Sequence, residues 1–224
     1  MGEMRSLLID GKSSGAYLTV PANKTGPGVL LLHAWWGLTP FFRDLADRLA
    51  SEGFVVLAPD YYDGRTAATI DEAKKLRSLV DREATQAMLK HASRYLQEQL
   101  SSPASPIGVI GFSLGCSFAL ELARSQPTAV AAVVLFYGSG GGKFDKVHAA
   151  FLGHFAEHDV WGADVKKVRA LEERLRAAGC EVTFHIYPQT GHWFFEQDRP
   201  EAYDPRAAQA AWERTVEFLK ARLK

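Results

Sequence analysis

The stretch at residues 106–119, Pro-Ile-Gly-Val-Ile-Gly-Phe-Ser-Leu-Gly-Cys-Ser-Phe-Ala, constrains this chain more than any other. Ile107, Val109 and Ile110 form the short apolar run expected of a strand covered on both faces. Gly111-Phe112-Ser113-Leu114-Gly115 follows as G-x-S-x-G, and Phe118, Ala119, Leu120 and Leu122 then recur at helical spacing. A strand, a sharp turn carrying a serine, then a helix is the setting of a nucleophile elbow. The serine at the tip of such a turn is held in a strained conformation, and its neighbours two residues away come very close. Glycine at 111 and 115 removes the side chains that would collide there. A helix starting at Leu114 also turns free N–H groups toward the serine, where they favour a developing oxyanion.

The rest of the chain repeats the alternation of strand and helix. Apolar runs at 16–20, 28–33, 54–58, 129–137, 149–156 and 181–187 predict further strands. Helical repeats occupy 41–50, 165–178 and 207–223, and the charged stretch 69–100 predicts two helices or one broken helix. Such an order implies a mostly parallel sheet with helices on both faces, in one α/β domain spanning 1–224. An open sheet of this kind places its ligands at the carboxyl ends of the strands.

Composition narrows the class. Lys plus Arg equals Asp plus Glu at 26 each, so no net field recruits nucleic acid or an anionic membrane. The longest apolar run, 129–137, is roughly half of a membrane span. Residues 1–10 contain no signal-peptide core, and Cys116 and Cys180 suggest no disulfide framework. The expectation is a cytoplasmic protein, monomer or small homo-oligomer, with no nucleic-acid or membrane partner. There is no clustered ligand spacing for a metal and no dinucleotide fingerprint, so no cofactor is implied.

A serine needs a positioned base, itself oriented by an acid, and in an elbow architecture these follow in the order serine, acid, histidine. His91 precedes the serine, and His148, His154 and His185 lie in or beside strand runs. His192, in Tyr187-Pro188-Gln189-Thr190-Gly191-His192-Trp193-Phe194, follows the last run with a glycine before it and is the expected base. Asp159 follows the preceding run and is the expected acid, with Asp164 and Glu157 in reserve; a helix-capping role is its ordinary alternative. The oxyanion donors are expected at the amides of Leu114 and Trp35, the latter in the loop Ala34-Trp35-Trp36-Gly37. Trp35, Trp36, Tyr137, Trp193 and Phe194 are candidates to line an apolar substrate pocket, or else to pack the core.

From about residue 31 to 218 the chain resembles the dienelactone hydrolase family of α/β-hydrolases. The resemblance rests on Trp36-Gly37, Ala58-Pro59-Asp60-Tyr61-Tyr62, the elbow, the segment at Asp159, and Tyr187-Pro188 through Gly191-His192-Trp193-Phe194. It implies an α/β-hydrolase fold with a nucleophile–His–Asp triad and no separate cap domain. Three positions depart from the family pattern. Ser113 stands where the type enzymes carry cysteine, and Ala34 where they carry a glutamate that activates the thiol. Glu196 stands where they carry an arginine for the substrate's carboxylate, which implies a preference for neutral esters. Cys116, one residue beyond the elbow glycine, reads as a buried helix residue.

The expected activity is hydrolysis of small-to-medium carboxylic esters or lactones through an acyl-enzyme. A thioesterase or peptidase would use the same triad, and a binding protein that kept the fold without the chemistry is the reading from another class.

Overall fold

The computed structural model of the chain describes residues 1–9 and 12–223. Its strands are β1 (Glu3–Ile9), β2 (Lys12–Thr19), β3 (Gly28–Leu32), β4 (Val55–Pro59), β5 (Ile107–Phe112), β6 (Val130–Phe136), β7 (Ala150–His158) and β8 (Val182–Gly191). The helices are α1 (Pro40–Ser51), α2 (Ile70–Ser78), α3 (Arg82–Glu98), α4 (Leu114–Ser125), α5 (Val165–Ala177) and α6 (Pro205–Arg222). All eight strands join one sheet in the order β1-β2-β4-β3-β5-β6-β7-β8. The β1/β2 and β2/β4 pairs are antiparallel, and every pair from β4 to β8 is parallel.

Strand periodicity sorts the core into two layers, because successive side chains leave a strand on opposite faces. Leu30, Leu32, Val109, Val133 and Leu135 pack with α3, α4 and α5. Val29, Leu31, Ile110, Val134 and Phe136 pack with α1 and α6. The central strands β3, β4 and β5 are buried along their whole length, as their unbroken apolar runs require.

Several boundaries differ from the sequence expectation for identifiable reasons. β1 was not expected at all. It is an edge strand whose Met4 and Leu8 are exposed while Leu7 is buried, so hydrophobicity does not mark it out. β2 begins at Lys12 rather than residue 16, because pairing with β1 extends it. The 69–100 stretch is two helices: Thr69 and Glu72 form a capping box on α2, and the Asp81 side chain caps α3. β8 continues to Gly191, four residues further than expected. Among the described residues no helix is long and apolar enough to cross a membrane.

Candidate active site

Parallel pairing brings the carboxyl ends of the central strands to one edge, and the special residues are the first ones past those ends. Phe112 pairs with Phe136, so Ser113 and Tyr137 emerge side by side. His158 pairs with Gly191 beyond an irregularity in the β7/β8 ladder, so Asp159 and His192 emerge side by side as well. Ser113 and His192, 79 residues apart, and Asp159 and His192, 33 apart, are thus brought to one edge by the sheet.

Ser113 has φ of 49° and ψ of −106°, a left-handed conformation costly for a residue with a Cβ. Its N–H donates to the Phe136 carbonyl at 2.9 Å, which locks the turn to β6. A Cβ on Gly111 would sit 2.7 Å from the Gly115 backbone, and one on Gly115 would sit 2.4 Å from the Leu32 carbonyl oxygen. Both glycines of the motif are thus required by backbone contact.

The Ser113 Oγ lies 2.9 Å from His192 Nε2, and His192 Nδ1 lies 2.6 Å from Asp159 Oδ2. His192 and Asp159 are both buried. The other carboxylate oxygen of Asp159 accepts from the N–H groups of Trp161 at 2.7 Å and Ala163 at 3.4 Å, which anchors the loop after β7. The reserve acids stand elsewhere. Asp164 caps α5 by accepting from the Lys167 N–H, and Glu157 accepts from the Gln189 N–H at the surface. Helix capping, the ordinary alternative for Asp159, has gone to its neighbour.

Of the two amides expected to face an oxyanion, Leu114 is the first residue of α4, so its N–H has no carbonyl one turn back to bind. The N–H of Trp35, in the turn after β3, donates to no carbonyl among the described residues. A cavity of about 290 Å³ opens over Ser113 and His192, with Trp35, Leu114 and Tyr137 in its wall.

The remaining pocket candidates lie outside that wall. Trp36 is buried beneath the Arg199 guanidinium, 3.7 Å from its ring centroid. Trp193 is buried against Trp35 and Trp36, and Phe194 against Tyr137 and Tyr187. In their place Trp161 from the Asp159 loop and the arginines Arg77 and Arg82 reach the cavity. Arg82 is paired with Glu121 at 2.8 Å; Arg77 has no ion-pair partner among the described residues.

Glu196 does not face the cavity to repel an anion, as its sequence position had implied. Its side chain turns inward, fully buried, and accepts a hydrogen bond from the Tyr137 hydroxyl at 2.8 Å. Burial pushes the carboxyl up to about 8. Cys116 is buried in α4 with its thiol directed at the Gly111 and Phe136 carbonyls, and burial pushes it well above the ordinary thiol range, away from nucleophilic use. His33, in the turn beside Ala34, is also buried; desolvation lowers it to about 3, and it stacks on Tyr61 at 3.6 Å.

Comparison with known proteins finds likeness over nearly the whole chain. The sequence model of the Dienelactone hydrolase family matches residues 15–223. "Protein usf" of Aquifex pyrophilus is 32% identical over 98% of both chains. The carboxymethylenebutenolidase of Rhodococcus opacus is 30% identical over 89% of this chain and 83% of its own. A crystal structure named "Putative Dienelactone Hydrolase", from Klebsiella pneumoniae, superposes with a TM-score of 0.86 at 25% identity over 98% of each chain. The mostly parallel sheet, its helices on both faces and the matched length together make this chain a hydrolase of α/β-hydrolase fold that belongs to the dienelactone hydrolase family.

Proposed function

We propose that the protein hydrolyses compact carboxylic esters or lactones through an acyl-enzyme on Ser113. The observation that carries this reading is the unbroken line of contacts Ser113 Oγ–His192 Nε2–Asp159 Oδ2, at 2.9 and 2.6 Å, at the floor of the cavity. In the first step His192 takes the Ser113 proton as Oγ attacks the substrate carbonyl, and the amides of Leu114 and Trp35 receive the developing oxyanion. Asp159 holds the imidazole in the tautomer with its proton on Nδ1 and stabilises the imidazolium without taking that proton. Collapse of the tetrahedral adduct expels the alkoxide, which His192 protonates. Water then attacks the acyl-serine with His192 again as base, and the acid leaves.

Two features bear on the substrate. The name of the Rhodococcus relative specifies a butenolide, an unsaturated lactone, bearing a carboxymethylene group. With Glu196 turned inward and Arg77 and Arg82 at the cavity, a carboxylate on the substrate meets cations rather than an anion. This replaces the preference for neutral esters inferred from the sequence position of Glu196. A fluorophosphonate probe should label Ser113 in the wild-type protein. Ser113→Ala should abolish labelling and lower kcat about 10⁴-fold or more on an aryl ester and on a carboxylated butenolide. Turnover by Ser113→Ala within ten-fold of wild type would falsify the assignment.

A further inference from the structure

Two in-plane hydrogen bonds fix the nitrogens of His192 but leave the ring free to tilt about the line joining them. What prevents tilting must press on its faces. The Trp193 ring stands edge-on at 5.1 Å and 89°, and the Tyr137 ring lies at 4.9 Å and 57°. Tyr137 is held in an unfavourable way for this purpose: φ is 39°, and its N–H is tied to the His154 carbonyl at 2.8 Å. Its hydroxyl then reaches across to Glu196, four residues beyond His192 on the same turn. The Glu196 N–H donates back to the Trp193 carbonyl at 2.9 Å, so the 192–196 segment is pinned at both ends.

A carboxyl at this place is a poor packing choice. It is wholly buried, and its Oε2 has no hydrogen-bond partner among the described residues, so a hydrophobic side chain of similar shape would be less costly there. We propose that Tyr137 and Glu196 are positioning residues for His192: the buried carboxyl fixes the Tyr137 hydroxyl and thereby seats the phenol ring against the imidazole. The proposal rests on the reading of His192 as the base. Glu196 acts as an uncharged acceptor, since burial keeps its proton on at neutral pH. When it ionises, the new charge faces Tyr137 from the end of β6, Asp198, Arg199 and Glu201 from its own segment, and His192 with Asp159 across the phenol ring. Cys116 of α4 and Asp198 also act electrostatically on Tyr137.

The test compares Tyr137→Phe, Glu196→Leu and Glu196→Gln with wild type, using kcat and KM on one aryl ester and the rate of fluorophosphonate labelling. Tyr137→Phe removes only the hydroxyl and should lower kcat and the labelling rate about ten-fold with little change in KM, as expected of a misplaced base. Glu196→Leu should do the same, and Glu196→Gln, whose amide oxygen still accepts from Tyr137, should restore most of the loss at pH 7. Wild-type kcat and labelling in Tyr137→Phe would overturn the proposal even if Glu196→Leu failed to fold, as would a Glu196→Gln variant as slow as Glu196→Leu. Failure of the wild-type protein itself to label would instead strike the assignment of Ser113 and His192.

Discussion

His192 and His154 make an instructive pair. Both are buried histidines with both ring nitrogens engaged, and both sit on the two outermost parallel strands or just past them. His154 bonds to two hydroxyls, Tyr187 at 2.9 Å and Thr215 at 3.0 Å, wedged between β7, β8 and α6. Arg214 donates to the same Tyr187 hydroxyl, and His185 stacks beside it at 6.0 Å. A proton added to His154 would meet only dipoles and positive charge; burial, then His185 and Arg214, depress it well below the ordinary histidine range. A proton added to His192 meets the Asp159 carboxylate, and its other nitrogen meets a serine beneath a cavity. Burial and hydrogen-bond count are alike in the two. What differs is the charge opposite the ring and the open space next to it.

The sharpest way to break this comparison is to change the carboxylate opposite one histidine and to replace the other histidine itself. Asp159→Asn keeps the shape but offers His192 the wrong tautomer, and kcat should fall about a thousand- to ten-thousand-fold with the melting temperature little changed. His154→Gln should do the reverse, lowering the melting temperature by about 5 °C or more while kcat stays within about three-fold. If His154→Gln were the one that silenced turnover in folded protein, the two roles would be interchanged.

How much of this was legible beforehand follows from where the signals lie. Ser113, Asp159 and His192 each stand within five residues of the end of an apolar run, and the first and last have a glycine next to or two places from them. Strand ends can be read from such runs, and parallel pairing then aligns the ends. Arg77 and Arg82 could not be singled out in the same way. They sit in a charged helical stretch where every basic residue looks solvated, and only the path of α2 and α3 over the sheet edge sends these two to the cavity. Trp36, Trp193 and Phe194 show the converse error, because nearness in sequence to a site residue does not tell a cavity wall from the packing behind it. Trp161 carries a usable signal in its place two residues past Asp159. The position of Glu196 is legible and its direction is not, since nothing in the sequence says which way a side chain on a turn will point.

Titration sharpens the comparison further, because the buried base His154 and the buried acid Glu196 act on stability with opposite signs. Below the ordinary histidine value of 6.5 the unfolded chain takes up a proton that folded His154 refuses, so stability falls as pH falls. Glu196 has a folded value raised from 4.5 to about 8. Between those two values the folded protein retains a proton that the unfolded chain has lost, so stability falls as pH rises, by at most about 1.4 kcal/mol per pH unit. Glu196→Gln removes that dependence. Its melting temperature relative to wild type should therefore climb steadily from pH 5 to pH 8. Parallel melting curves across this range would show that Glu196 is ionised in the folded protein.

The smallest expected effect concerns the cations that accompany each histidine. Arg214 is committed to Tyr187, 2.9 Å from its hydroxyl, and has no part in the cavity. Arg77 lines the cavity and has no acidic partner among the described residues, whereas Arg82 is held by Glu121. A partly solvated guanidinium contributes modestly to binding an anion, on the order of 1 kcal/mol or less. Arg77→Met should accordingly raise KM about three- to five-fold for an ester bearing a carboxylate, leave KM unchanged for its neutral methyl analogue, and leave kcat unchanged for both. Added salt should shrink the difference between the two substrates in wild type and not in Arg77→Met. Equal KM changes for the charged and neutral substrates would mean that Arg77 shapes the cavity wall instead of recognising charge, and the preference inferred for a carboxylated substrate would then rest on Arg82 alone.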